Sequence, residues 1–302
     1  MTDDRIHVAM MNLLWPRHGV DRQLFYDYWS GAHTQISSRL PGIHQYFQHH
    51  LDTESGLLFP GLSQLVEASA PFPGFYGDAE ITFATDDALE SFADALAPLM
   101  EDEQNVFQKT ISYQATGQNT KTVVDRTPDH SPNGDLGISE KYFLYLRHAG
   151  QDIESFRRTI KDAADVLAGN SDVAKVRYRL PEHYDNDAVT LSAPNVSNHE
   201  PDSNQVQGSL EIAFADAMAR RGYANSADST RVADLLGSAC RNVFPTRALR
   251  TYTVYNHGKI TVAGLRTPQM AAQIASIGAA NQTDKAVSEL LLARHTAVFA
   301  PA

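Results

Sequence analysis

Hydrophobic positions along this chain change period at regular intervals. Residues 6 to 14 form a nearly continuous apolar run and read as a strand. Over residues 21 to 40 the spacing lengthens, and Leu24, Phe25, Tyr28, Trp29, Ala32 and Ile36 share one stripe of a helix opened by an Asp21 N-cap and stopped at Pro41-Gly42. Residues 43 to 51 alternate, with Ile43, Phe47 and Leu51 on one face and His44, Tyr46, Gln48 and His50 on the other. A strand over residues 79 to 83, a helix with Leu89, Phe92, Ala93 and Leu96 inward, and an alternating strand from 107 to 114 complete a β-α-β-β-α-β order.

The order then recurs. Gly77-x-x-Glu80-Ile81-x-Phe83 returns as Gly208-x-x-Glu211-Ile212-x-Phe214, displaced by 131 residues, and the same offset carries Asp21 onto Asp152 and Phe25 onto Phe156. The second set comprises a strand at 141 to 148, a helix with Ile153, Phe156, Ile160, Ala163 and Leu167, and a strand at 173 to 180. The shared Glu-Ile-x-Phe strand follows, then a helix carrying Val232, Leu235, Leu236, Ala239 and Val243 and a strand at 249 to 255.

Residues 119 to 138 read as a linker between a first domain at 1 to 118 and a second at 139 to 256, since the stretch is polar and holds Pro128, Pro132, Gly134 and Gly137. Residues 257 to 302 fall outside the repeat. They read as a strand over 259 to 265, a helix opened by Thr267-Pro268, and a further helix with Val287, Leu290 and Leu291, an extension that braces the two domains or serves a homodimer. Each βαββαβ unit lays its helices on one sheet face and leaves the other bare, so the two bare faces are expected to close on each other.

Charge narrows the partners. With 25 basic against 36 acidic residues the net charge is -11, which repels nucleic acid and anionic lipid. No apolar run approaches the roughly 18 residues of a membrane span, and the acidic opening Met1-Thr-Asp-Asp-Arg5 lacks an export signal, so the cytoplasm is the expected compartment. Cys240 is the single cysteine; it excludes an intrachain disulfide and reads as core filler.

The segment Phe25-Tyr-Asp-Tyr28-Trp29-Ser-Gly-Ala-His33, followed by Pro41-Gly42 and Tyr46, resembles the EthD-like family signature F-x-x-Y-W-x-x-x-H. The strand Gly77 to Phe83 also resembles that family's third strand. The resemblance implies an α+β fold in which two ferredoxin-like units form a dimeric α/β barrel, here within one chain. It also implies work on small molecules without organic cofactors: dehydration, decarboxylation, cyclisation or isomerisation of aromatic or polyketide-like substrates. In the second copy Ile160 and Ala164 stand where Trp29 and His33 would fall, so chemistry is expected in the first copy.

His33 lies at the edge of the apolar stripe, one turn from Trp29, and is the candidate general acid/base; the alternative is a boundary histidine bonded to a carbonyl. Six of the 12 histidines fall in the first 50 residues. Strand parity directs His49 toward the helices and Trp29, and His44, Tyr46 and His50 toward the barrel side, where Glu80 also projects. His49 and His50 are thus candidate auxiliary proton carriers. Tyr28, Trp29, Tyr46, His44 and Glu80 are candidate substrate-binding residues, the alternative for the aromatic ones being core packing. The loop from 52 to 75, with Leu57, Leu58, Phe59 and Phe72, is apolar enough to fold over a substrate or over the domain's own core.

No nucleotide-binding glycine motif, paired cysteines or H-E-x-x-H appears, and His44 and His50 are roughly 20 Å apart along one strand, too far to share an ion. The expectation is a cofactor-independent lyase or isomerase, with no metal, acting on a small hydrophobic, aromatic or cyclic substrate. The alternatives are a non-catalytic carrier of a hydrophobic metabolite and a haem-dependent oxidoreductase.

Overall fold

The computed structural model describes residues 6–53, 60–67, 69, 72–127, 140–188 and 192–292. The first half runs β1 (Val8–Pro16), α1 (Arg22–Tyr28), a π-turn (Trp29–His33), α2 (Thr34–Ser37), β2 (Gln45–Thr53), α3 (Ser63–Glu67), β3 (Gly77–Phe83), α4 (Asp86–Asp94), α5 (Ala97–Glu103) and β4 (Phe107–Thr116). A strand β5 (Thr120–Asp125) follows. The second half runs β6 (Glu140–His148), α6 (Ile153–Gly169), β7 (Val173–Arg179), β8 (Gly208–Phe214), α7 (Ala217–Ala224), α8 (Ala227–Ala239) and β9 (Cys240–Asn256). The chain continues through β10 (Lys259–Ile260), α9 (Val262–Arg266), α10 (Pro268–Ile277) and α11 (Lys285–Leu292).

The repeated aspartates have the same local job in both halves. Asp21 accepts from the N–H groups of Gln23 and Leu24 at 3.0 Å, and Asp152 accepts from that of Ser155 at 2.9 Å, each satisfying donors left free by the first helical turn.

The strands form one antiparallel sheet in the order β4-β1-β3-β2-β9-β6-β8-β7-β5. Its centre is the long β9, whose first part pairs with β6 and whose second part pairs with β2. The other end is built alike: β4 pairs with β1, the chain turns through residues 117 to 119, and β5 pairs with β7. The two ends meet there, because the N–H of Glu182 donates to the carbonyl of Gln114 and that of Leu180 to Asn119, both at 2.8 Å. The sheet is therefore a closed barrel in which each half's last strand reaches across to the other half.

Closure creates three cores. One lies between the first half's helices and its sheet face, around Phe25, Trp29 and Phe107, and a second between α6, α8 and the second half's sheet face. The third fills the barrel, where Met11, Leu13, Trp15, Leu51, Phe143 and Tyr145 pack together. Cys240 is buried in the second, where burial pushes its thiol up to about 12.

Charged groups share the barrel interior. Glu80 pairs with Arg177 and Arg179, Asp78 accepts from Arg179 and Tyr145, and Glu211 lies 3.0 Å from Lys175 and 3.2 Å from Lys141. The glutamates of the repeated motif thus each sit inside the barrel against two cations. Burial alone would raise Glu80, yet Arg177 and Arg179 hold it far below the usual carboxylate range.

Several boundaries differ from the sequence reading. The helix expected around Leu89 to Leu96 is two helices, with Pro98 in the first turn of α5. Val243 belongs to β9, which starts at Cys240 where α8 stops. Residues 120 to 125 of the expected linker form β5, held by the open edge of β7, while 128 to 138 lie outside the described residues. The expected strand from 259 to 265 shrinks to Lys259–Ile260 and gives way to α9, capped by Thr261. That helix packs closely, since a Cβ on Gly264 would meet the carbonyl oxygen of Val254 at 2.3 Å. Arg39, at the end of the first helical segment, donates to the carbonyls of Gly264 and Leu265 at 3.2 and 3.1 Å, tying the tail to the first half. Among the described residues no helix is long and apolar enough to cross a membrane.

Candidate active site

A cavity of about 490 Å³ opens between the sheet face of the first half and its helical layer. Strand parity aims Met10, Asn12 and Leu14 into it, while Met11 and Leu13 turn into the barrel. The π-turn brings in the signature residues. At its end the N–H of Thr34 reaches the carbonyl of Trp29, so the turn holds one residue more than an α-turn, and Trp29 and His33 come to line the same space. Trp29 also depends on Gly77 across the sheet, where an added Cβ would meet its Cζ3 at 2.9 Å.

His33 Nδ1 lies 2.9 Å from Asp102 Oδ2. Asp102 also accepts from the Tyr28 hydroxyl at 2.7 Å and the Asn105 amide at 3.1 Å. Burial would raise this carboxyl, but the hydrogen bonds from His33, Tyr28 and Asn105 keep it below the ordinary range. With Nδ1 committed to a carboxylate, proton exchange with a ligand falls to Nε2.

The next residue behaves in the opposite way. Glu103 also lines the cavity, is buried, and is raised to about 7 because burial and the neighbouring Asp102 charge outweigh a 3.2 Å hydrogen bond from Thr110. One cavity therefore holds an imidazole oriented by a carboxylate and a carboxyl able to carry a proton near neutrality.

The second half completes the wall. The segment after β7 contributes Glu182, His183, Tyr184, Asp185 and, further on, Asn198. It is fastened to β4 by a bridge between Lys109 and Ser197, by Asn198 Nδ2 donating to the Thr110 carbonyl at 2.9 Å, and by the Tyr113 hydroxyl against the Val206 N–H at 3.2 Å.

Of the residues singled out from sequence, His33, Trp29 and Tyr46 line this cavity. The others do not. Tyr28 serves as a donor to Asp102, and His44 sits just before β2 with its ring 6.0 Å from that of His257. The two faces of β2 are the reverse of those expected: Tyr46, Gln48 and His50 face the helices, and Phe47, His49 and Leu51 face the barrel. The alternation holds, but the apolar face turns to the barrel, because the barrel interior is itself an apolar core.

His50 is consequently stacked between Tyr26 and Trp29, 4.8 Å from each ring, and burial with the nearby His49 and Arg250 lowers it to about 3. It is neutral at ordinary pH. His49 lies in the barrel, with Nδ1 3.1 Å from Thr251 Oγ1, and burial lowers it as well. Glu80 is an ion-pair partner in the same interior rather than a ligand contact. Leu57, Leu58 and Phe59 of the apolar loop lie outside the described residues. Phe72 packs on Phe75 and Tyr76.

Asp102, Glu103, Ser112 and Asn198 were missed. The adjacent pair Asp102-Glu103 at the end of a helix, preceding an alternating strand, is the one signal that sequence offered.

A haem fits these residues poorly. The carboxyl groups of Glu103, Glu182 and Asp185 line the cavity, and no lysine or arginine does among the described residues, so it offers no cation to receive a haem's carboxylates. Nor do three histidine, cysteine or carboxylate side chains among the described residues come together as metal ligands.

Similarity to known proteins is confined to family and shape. No curated protein sequence matches the chain. Among solved structures it resembles a candidate monooxygenase from Fusobacterium nucleatum, with TM-score 0.49 and 6% identity over 83% of this chain and 96% of that one. A candidate monooxygenase from Lactobacillus acidophilus gives TM-score 0.46 and 11% identity over 85% and 99% of the chains. An anthrone oxidase-like protein gives TM-score 0.46 and 9% identity over 84% and 96%. A family model, that of the EthD domain, matches residues 17 to 110, the stretch that carries the π-turn, Tyr46, Asp102 and Glu103.

Proposed function

We propose that the cavity is the active site of a small-molecule enzyme, a lyase or isomerase working without an organic cofactor on a compact, apolar, ring-bearing substrate. The observation that carries this reading is the pairing of the Asp102-oriented His33 with a near-neutral Glu103 in one cavity lined by Trp29, Phe107 and Leu99. Two groups in one pocket, an imidazole oriented by Asp102 and a carboxyl able to hold a proton near neutrality, divide base and acid roles. His33 Nε2 takes a proton from a carbon next to a carbonyl, and protonated Glu103 donates to the carbonyl oxygen, giving a neutral enol. The reverse transfers then return protons to the substrate at the same or a shifted carbon. Asp102 is a positioning residue: it fixes the tautomer and stabilises the imidazolium. Trp29 and Tyr46 shape the cavity.

The architecture belongs to the same proposal. Residues 1–118 and 139–256 are taken as two ferredoxin-like units joined by 119–138 and extended by 257–302. The shared strand order and the reciprocal reach of β4–β5 and β9 support this division. Exposed Met270, Ile277 and Leu290 on the tail favour a homodimer there, which the molar mass in solution decides.

Carbon-proton exchange tests the chemistry without the native substrate. With 2-tetralone in D₂O, the wild type is expected to accelerate deuterium uptake beside the carbonyl, and His33→Asn to lose roughly 10²- to 10⁴-fold. A wild type that binds tetralone but leaves exchange at the buffer rate would make the protein a carrier of hydrophobic metabolites instead.

A further inference from the structure

From the geometry of β4 and the second half's loop we infer that the cavity contains a subsite for a neutral hydroxyl, built by Ser112 and Asn198, about one ring away from the acid/base pair. The assignment rests on the cavity being the ligand site. It adds to that reading what the ligand carries and which half recognises it.

Along β4 the residues turned toward the cavity are Thr110, Ser112 and Gln114, while Ile111 and Tyr113 fill the barrel. Alternate residues of a strand are spaced ~7 Å apart. Thr110 is bonded to Glu103, so Ser112 marks a position roughly that distance from the proposed proton donor.

Asn198 approaches the same strand from the other half. Its Nδ2 must be the atom that meets the Thr110 carbonyl, because a carbonyl only accepts. This fixes the orientation of the amide and leaves Oδ1 as an acceptor. Both Asn198 Oδ1 and Ser112 Oγ are buried without a hydrogen-bond partner. Buried polar atoms are ordinarily satisfied, and two orphans lining one cavity mark a place where a ligand group belongs.

The chemistry of the two atoms selects that group. Asn198 Oδ1 requires a donor, whereas Ser112 can give or take a hydrogen bond. A hydroxyl serves both at once. A carboxylate or an ether oxygen would leave Asn198 unpaired, and an anion would also stand among Glu103, Glu182 and Asp185. The ligand class is thus a neutral phenol or alcohol whose hydroxyl lies on the ring beyond the reacting one. In this division of labour the second half, which has Ala164 in place of the histidine, reads the ligand that the first half transforms.

Calorimetric titration with biphenyl and 4-hydroxybiphenyl tests the subsite on the full chain. The wild type is expected to bind the phenol about 10-fold more tightly, the scale of one well-formed hydrogen bond to a buried group. That preference should vanish in Ser112→Ala and in Asn198→Ala and persist in Glu103→Gln and His33→Asn. Should Asn198→Ala fail to fold, Ser112→Ala alone decides, since it removes one oxygen and no contact to the loop. Equal affinity for the two probes in the wild type, a preference surviving Ser112→Ala, or no binding of either probe overturns the assignment. A wild type that shows the preference but no exchange activity would sink the catalytic reading and leave the subsite standing; a wild type with exchange and no preference would do the opposite.

Discussion

Glu103 provides a test of the site that needs no substrate. Its carboxyl moves from an ordinary 4.5 to about 7 in the folded chain, chiefly through burial. That difference corresponds to about 3 kcal/mol against the ionised form. Below pH 4.5 the folded and unfolded chains both hold the proton, and the stabilising difference is fully present. Between 4.5 and 7 the unfolded chain releases its proton while the folded chain keeps it, so stability falls as pH rises. Above 7 the loss is complete and constant. Glu103→Gln removes the titration while keeping a group that can bond Thr110. Thermal unfolding of both proteins across the pH range 5 to 9 should show curves within about 1 kcal/mol of each other at the acid end. At the alkaline end the variant should be more stable by about 3 kcal/mol, or roughly 5 °C in Tm for a chain of this size. Titrating groups that do not interact with Glu103 are common to both proteins and cancel in the difference; Asp102 is its coupled neighbour. A difference in Tm that stays flat across this range would mean that Glu103 is ionised and solvated in the folded chain, and the acid role would fall with it.

Four further outcomes are expected. Gly77→Ala places a methyl 2.9 Å from Trp29 Cζ3 and should cost roughly 1–3 kcal/mol with a change in tryptophan fluorescence, while Gly208→Ala, whose nearest contact is 3.2 Å, should cost less in denaturant melts. Arg179→Leu strands Asp78 in the barrel and should destabilise by about 3–5 kcal/mol; a loss below 1 would show that water reaches the pair. His50, lowered to about 3, contributes stability that is present above the ordinary histidine value of 6.5 and is lost as pH falls toward 3, about 2 kcal/mol by pH 5, so His50→Phe should flatten the acid limb of the stability curve. Residues 1 to 127 expressed alone should not give a well-folded monomer, since β2 would lose β9 and half of the barrel core would be bare; a sharp two-dimensional NMR spectrum from a monomer of that fragment would count against it.

Period and repetition made most of the element order legible. The G-x-x-E-I-x-F recurrence located β3 and β8, and the aspartate caps located α1 and α6, because these depend on neighbours in sequence. The sidedness of β2 was not legible, since Leu51 and Tyr46 are both wholly buried and a strand between two cores carries no polar face to orient it. His33 and Trp29 stood out through the family signature. Asp102 and Glu103 did not, because an acidic pair on a short helix reads as solvated surface until α5 is folded down onto β4. Ser112 and Asn198 were beyond reach for a stronger reason: they line one cavity only because barrel closure brings together residues from different halves.

The reciprocal strands β4–β5 and β9 have a consequence for how this protein can change over evolutionary time. In a two-fold symmetric dimer every substitution is made twice, so a residue that improves a wall also appears in the pocket next door, and each improvement must be tolerable in both places. On the proposed division into two units, covalent joining of the halves lifts that constraint. Position 164 can be alanine while position 33 is histidine, and the segment after β7 can lengthen into a wall without obstructing a second pocket. The barrel keeps its near symmetry because its hydrogen bonds demand it, and the faces outside the barrel are free to become unlike.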